Sequence, residues 1–226
     1  LEPSSAASDV YKRQILPRQK ILENIGFPSA EEKAKMYNNA YEKFTKAGYV
    51  AIGMDHFCRP EDEFYIALKN NQLHRNFQGY CTKKTTGQVY GFGASSISQL
   101  FSAYSQNVKN AAQYIKKINE KNTAILRGYH VNKNEKIIRD VINSIMCNYY
   151  VDFSEISDKY QINTDEVKDL VDFKVEKFSD FVDLNIMNIE NNKLVISHEA
   201  RLFIRNIAME FDPLLNKKIG TYSKII

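Results

Sequence analysis

The sequence predicts an α/β fold whose second half turns mostly helical and winged-helix-like. Three observations carry that expectation. A capped helical stretch from Ser29 runs into the apolar run "YVAIGM" and then into polar residues. A second apolar run, "VYGFGASSIS", leads into glycines and small residues. After Asn107 long amphipathic stripes take over, followed by the paired short runs of "IMNIENNKLVIS" and a closing helix.

In chain order, "SAEEKAKMYNNAYEKFTKAG" places Ser29 as a cap, with Glu31 and Glu32 in the first turn and Gly48 as the stop. Ala34, Tyr37, Tyr41 and Phe44 form its apolar stripe. "YVAIGM" reads as a buried strand, and "DHFCRPEDEF" lies beyond its C-terminal end, where parallel sheets bind ligands. Asp55 and His56 therefore stand at a candidate site mouth, or His56 is a structural partner at a strand end. Pro60 with Glu61, Asp62 and Glu63 opens the next helix. "VYGFGASSIS" reads as a strand running into a helix N-terminus, with Gly91 and Gly93 between them. That stretch is either a ligand loop or a tight strand–helix turn, and the Rossmann fingerprint is absent. "NVKNAAQYIKKINEKN" and "NEKIIRDVINSIMCNYY" are helices, the second with Ile137, Ile138, Val141, Ile142, Ile145 and Met146 on one side. Further helices fall at Glu155–Tyr160, Thr164–Phe178 and His198–Phe211, with two strands about an Asn-Asn turn before the last.

The 226 residues suffice for one large domain or two small ones. The chain is 43% hydrophobic and 26% charged, a globular composition, and its net charge of +4 makes no case for a polyanion partner. No apolar run approaches the ~20 residues of a membrane span. Cys58, Cys81 and Cys147 are sparse and odd in number, which suits a reducing cytoplasm. "LEPSSAASDVYKRQ", Leu1 to Gln14, resembles a translated adapter fused to an interrupted reading frame, a non-native scar, with native sequence expected upstream.

The densest chemistry lies in "HRNFQGYCTKKTTGQVYGFGASSIS". His74, Arg75, Asn76 and Gln78 offer donors for carboxylates and amides, Arg75 in bidentate fashion. A winged module invites nucleic-acid binding, with Arg201 and Arg205 as an i, i+4 pair. Its helices, however, carry Asp165, Glu166, Asp169, Asp172, Glu176, Asp180 and Asp183, where phosphate contacts need a basic face. The expectation is a packing module without nucleic acid.

Five stretches, "IGMDHFCRPEDEF", "LHRNFQGYCT", "GFGASSIS", "YSQN" and "RDVINSIMCNY", together resemble the oxygen-independent coproporphyrinogen III oxidase family. "EARLFIRNIAMEFD" and the closing "SKII" extend the resemblance from about Ile15 to the end, and "HRNFQGY" separates it from the haem-carrying paralogues of the same fold. The resemblance implies a radical S-adenosylmethionine (SAM) enzyme of anaerobic haem synthesis. In that family a 4Fe–4S cluster cleaves SAM to a 5′-deoxyadenosyl radical, and two propionates of coproporphyrinogen III become the vinyls of protoporphyrinogen IX. It implies SAM contacts at Ile97 and Gly93, and substrate contacts at Gln78 and Arg75. An electron donor is implied for the cluster, with no membrane partner and a monomeric chain. The family's CxxxCxxC ligands are absent here, so metal ligands are expected in a missing N-terminal part. The implied fold is the last part of a partial (β/α) radical-SAM barrel over residues 15–122, then a mostly helical, winged-helix-like domain over residues 123–226. The fragment alone is expected to be inactive.

Overall fold

A computed structural model of the chain describes residues 28–213 except residue 86, together with residue 215. The leader Leu1 to Gln14, the start of the resemblance near Ile15, and the closing "SKII" lie outside the described residues.

Helix α1 (Ala30–Lys46) opens on a reciprocal cap: the Glu32 N–H donates to Ser29 Oγ at 3.2 Å, and the Ser29 N–H donates to Glu32 Oε2 at 2.7 Å. Its Phe44 stacks on Phe57 at 4.8 Å, which seats the helix on the hairpin β1 (Val50–Gly53) and β2 (His56–Cys58). These two strands are antiparallel. The parallel layout expected from "YVAIGM" does not hold here, because Met54 and Asp55 alone connect the strands and so short a link can only reverse the chain. Among the described residues every strand pair is antiparallel. The content is nonetheless mixed helix and strand. Helix α2 (Glu63–Lys69) starts at the Asp62 cap, whose carboxylate accepts from the Phe64 N–H at 2.9 Å, rather than at Pro60.

The "HRNFQGY" motif forms the hairpin β3 (Leu73–Asn76) and β4 (Gly79–Thr82). Asn76 Oδ1 holds its turn by accepting from the N–H groups of Gln78 and Gly79, at 2.9 and 3.3 Å. "VYGFGASSIS" differs from its reading as strand then helix. Val89 makes a single bridge to Gln99, and the small-residue run leads into strand β5 (Ile97–Gln99). That strand pairs with β6 (Ala103–Asn107), which pairs with β7 (Ile125–His130), and helix α3 (Ala111–Lys121) links β6 to β7. The sheet therefore crosses the boundary expected between residues 122 and 123.

Helix α4 (Lys133–Asn148) is the central post, with Asn132 and Glu135 as its reciprocal cap. Ile137, Ile138, Val141 and Ile145 are buried along it, while Ile142 and Met146 are half-buried. Strand β8 (Tyr150–Asp152), helix α5 (Phe153–Tyr160) and helix α6 (Thr164–Leu170) follow. The helix expected to reach Phe178 stops at Leu170, because Asp172 takes φ +47. A 3-10 turn (Val175–Phe178) and helix α7 (Ser179–Asp183) replace its end. Strands β9 (Met187–Glu190) and β10 (Lys193–Ile196) meet at Asn191 and Asn192, both with positive φ as a type I′ turn requires. Strand β8 completes this sheet beside β10, in the order β8-β10-β9. The closing segment is a 3-10 turn (His198–Leu202) and a short helix α8 (Ile204–Met209), not one helix from His198 to Phe211. One apolar core joins Ile52, Leu68 and Leu73 to α4, Leu194, Phe178 and Phe211. The two halves thus share an interior.

Candidate functional site

Strand alternation divides the polar residues of "HRNFQGY" between two faces. On one face, half-buried Arg75 lies 5.3 Å from the ring centre of Tyr80, with its Nη1 buried and without a partner among the described residues. Burial pushes the Tyr80 phenol up to about 12. The Tyr80 hydroxyl lies on Gly53, where an added Cβ would stand 2.8 Å from Cζ, so only glycine lets this ring slide under β1. His56 meets the same ring edge-on at 4.9 Å, and its Nδ1 lies 2.9 Å from Asp55 Oδ1. The His56 hydrogen bond holds the Asp55 carboxyl below the usual carboxylate range despite burial, with the His56 and Arg75 charges acting the same way.

On the other face, His74 lines a polar cavity of about 340 Å³ with Lys83, Asp140, Asn143 and Lys159. Burial pushes its pKa down, and the Asp140 carboxylate opposes that shift. His74 and Arg75, adjacent in the motif, therefore do not share one site.

The three remaining assignments lie at the tip of the hairpin and around strand β5 of the next sheet. The Phe77 N–H donates to the buried Gln99 Oε1 at 3.0 Å, which ties the hairpin tip to β5. Gln78 stands exposed at that tip. Ile97 is half-buried opposite Gln106. Gly93 takes φ +96 with open space where a side chain would be, whereas a Cβ on Gly91 would stand 2.7 Å from the Ile97 carbonyl. Gly91 thus serves the chain's own packing. Asn107 Nδ2 donates to the Gly93 carbonyl at 3.0 Å, and the Gly93 N–H donates to Tyr114 Oη at 3.1 Å. The loop's polar groups are spent internally and no helix begins there, which corrects the helix N-terminus reading. What the loop can offer a SAM adenine is the apolar edge of Ile97 and the open side of Gly93, and these fit such a group.

An iron–sulfur cluster does not fit the residues present. Among the described residues no group of three or more His, Cys, Asp and Glu is placed to hold a metal. Burial pushes the Cys147 thiol up to about 12 and raises Cys58 and Cys81 as well, the reverse of what thiolate ligands need.

Sequence reasoning missed three residues that build this region. The Tyr37 hydroxyl donates to the Met54 carbonyl at 2.8 Å, and Arg201 Nε donates to the Tyr37 oxygen at 3.2 Å. Tyr80 was equally silent. Period-2 spacing from Gln78 places it in a strand, but nothing local shows that Gly53 receives it.

No family model matches the chain. The oxygen-independent coproporphyrinogen III oxidase of Salmonella typhimurium is 34% identical over 210 residues, which is 92% of this chain and 45% of that protein. The Escherichia coli K12 protein of the same name is 32% identical over 214 residues, 94% of this chain and 46% of that protein. The chain is a relative of the oxygen-independent coproporphyrinogen III oxidases. One from Thermostichus vulcanus is 31% identical over 218 residues and is covered to 66% of its length. Among solved structures, the coproporphyrinogen III oxidase of Escherichia coli, a radical SAM enzyme, superposes with a TM-score of 0.80 at 32% identity, over 89% of this chain and 45% of that one. The chain thus spans a little under half the length of the Salmonella and Escherichia oxygen-independent coproporphyrinogen III oxidases. Among the described residues no helix is long and apolar enough to cross a membrane.

Proposed function

We propose that this chain is the C-terminal portion of a radical SAM oxidoreductase that turns two propionates of coproporphyrinogen III into vinyls, giving protoporphyrinogen IX. The observation that carries this reading is similarity along nearly the whole chain, at 32% identity and a TM-score of 0.80, to the coproporphyrinogen III oxidase of Escherichia coli. Arg75 and Gln78 of the β3–β4 hairpin meet substrate carboxylates, and Ile97 with Gly93 lies against SAM. When bound, SAM supplies the hydrogen-abstracting chemistry, while these side chains place the substrate and keep water away. The cluster and its electron donor engage a part of the enzyme that these residues do not supply.

Residues 15–122 contribute the end of a partial (β/α) barrel; among the described residues β1 pairs only with β2, and its other edge suits a further strand. Residues 123–226, apart from β7, which belongs to the sheet of β5 and β6, form a winged-helix-like packing module. The order α4, β8, α5, α6, β9, β10 with one three-stranded sheet supports this. The acidic surface of α6, with Asp165, Glu166 and Asp169, speaks against nucleic acid as its partner. The free thiols of Cys58, Cys81 and Cys147 suit a reducing cytoplasm.

Grafting residues 28–226 in place of the matched part of the Escherichia coli enzyme tests the reading. The chimera is expected to convert coproporphyrinogen III anaerobically, and a folded, cluster-loaded but inert chimera rejects the proposal. Within it, Gln78→Ala is expected to lower turnover about tenfold, the worth of one hydrogen bond to a charged group. Ile97→Asp is expected to cost at least as much, by setting an unpaired charge against an apolar ring. Unchanged turnover in both variants removes the residue assignments. The chain alone, given iron and sulfide without oxygen, is expected to stay free of stoichiometric iron, and a stable cluster absorbance there contradicts the fragment reading.

A further inference from the structure

Helix α4 carries two stripes. Ile137, Val141 and Ile145 are buried in the core, while Asp140, Ser144 and Asn148 recur at the same four-residue step on another side. A polar stripe of this kind usually faces water. Here it faces the β3–β4 hairpin, because Asn148 at its end bonds both backbone groups of Leu73. Between helix and hairpin lies the polar cavity of about 340 Å³ that His74 lines, at the small end of the ~300–1,000 Å³ usual for ligand pockets.

The His74 ring is seated by a missing side chain. Gly87, at φ +66, comes so close that an added Cβ would stand 2.8 Å from His74 Cδ2 and Nε2. Burial pushes the His74 pKa below its ordinary value, so at neutral pH the ring is uncharged and offers one donor and one acceptor.

The polar groups around the cavity divide into spent and unspent. Asp140 Oδ2 accepts from Lys159 Nζ at 2.6 Å and from Tyr160 Oη at 2.8 Å, and Thr85 Oγ1 donates to the Thr82 carbonyl at 2.9 Å. By contrast, the side chains of His74, Asn143, Ser144 and Glu155 have no hydrogen-bond partner among the described residues. Lys83 Nζ gives one N–H to the Asn71 carbonyl at 2.9 Å and keeps the others. Lys83, just after β4, and Glu155, in the first turn of α5, line the same cavity without pairing with each other. What is left over is one cation and one anion on separate elements, with neutral donors and acceptors beside them.

We propose that this cleft binds a small zwitterion, a free polar α-amino acid, with its carboxylate at Lys83, its ammonium at Glu155 and its side chain against His74, Asn143 and Ser144. The cleft lies on the face of the hairpin opposite Arg75 and uses none of the residues assigned to substrate or SAM.

The test is amide NMR of the 226-residue chain titrated with L-glutamine, with butyrate, butylamine and butyramide as partial copies. Saturable shifts at His74 and Ser144 are expected, with a midpoint of about 1 mM or below. Butyrate and butylamine carry one charge each and butyramide none, and all three are expected to bind about tenfold more weakly, the worth of a hydrogen bond to a charged group. Ser144→Ala and Lys83→Met are each expected to weaken L-glutamine about fivefold. Lys84→Met removes the neighbouring exposed charge, which does not line the cavity, and is expected to bind as the parent does. Absence of saturable shifts overturns the proposal. So does butyrate or butyramide binding as tightly as L-glutamine, or an equal loss in Lys83→Met and Lys84→Met. No cluster, SAM or porphyrin enters the titration, so its failure leaves the enzyme reading standing, and an inert chimera leaves the cleft standing.

Discussion

Phe178→Ala is expected to lower the unfolding free energy by about 3–5 kcal/mol, the usual cost of emptying a large aromatic site. Phe178 has no exposed surface and stacks on Phe211 at 5.0 Å and Phe173 at 5.6 Å, with Phe181 at 6.5 Å. Phe153 continues the group against Phe173 at 4.9 Å. Truncating the ring in the middle leaves Phe173, Phe181 and Phe211 facing a void they cannot jointly close. Urea unfolding followed by circular dichroism measures the loss. Phe203→Ala is the matched control: that ring is 50% exposed, and its removal is expected to change stability by no more than about 0.5 kcal/mol. Equal losses in the two variants contradict this account of the core.

The second large effect belongs to Asn148. Its Nδ2 donates to the Leu73 carbonyl and its Oδ1 accepts from the Leu73 N–H, both at 3.0 Å and both buried. A single side chain thus satisfies both polar groups of one backbone residue, as a neighbouring strand would. Asn148→Ala leaves two buried backbone groups without partners, at about 1–3 kcal/mol each, so a total loss of about 2–4 kcal/mol is expected after local relaxation. Faster amide exchange at Leu73 is the specific signature. Asn148→Asp keeps the acceptor and loses the donor, and is expected to restore protection at the Leu73 N–H without restoring full stability. Unaltered exchange at Leu73 in Asn148→Ala removes the assignment.

How legible the molecule was in its sequence follows from how local each cause is. Ser29 with Glu32, the stripe Ile137–Val141–Ile145, and Asn191-Asn192 act within a few residues, and each element formed where its pattern placed it. The hairpin through Met54 carries no Asn-Gly or Asp-Gly signal, because its geometry is imposed from Tyr37 and Arg201 rather than by its own residues. "GFGASSIS" carries every local mark of a strand–helix turn. It becomes a loop and a strand because the Asn107 side chain, beyond the segment, donates to both glycine carbonyls and to Ser96. Arg201 read as one half of a basic pair on a helix face, yet it packs over the ring of Tyr41. Of the candidate site, the motif marked where polar donors cluster, but it gave no hairpin, and strand alternation, invisible in a list of donors, sent His74 and Arg75 to opposite sides.

The grip of Asn148 on Leu73 also sets an order in time. The two residues are 75 positions apart, and a ribosome adding ~5–20 residues each second needs roughly 4–15 s to travel from one to the other. Throughout that interval the β3–β4 hairpin can dock on β1 and β5, but the Leu73 amide and carbonyl must be served by water. The hairpin bearing Arg75 and Gln78 is therefore synthesised well before its last anchor, so a pause or a nick before residue 148 leaves it unsecured at Leu73.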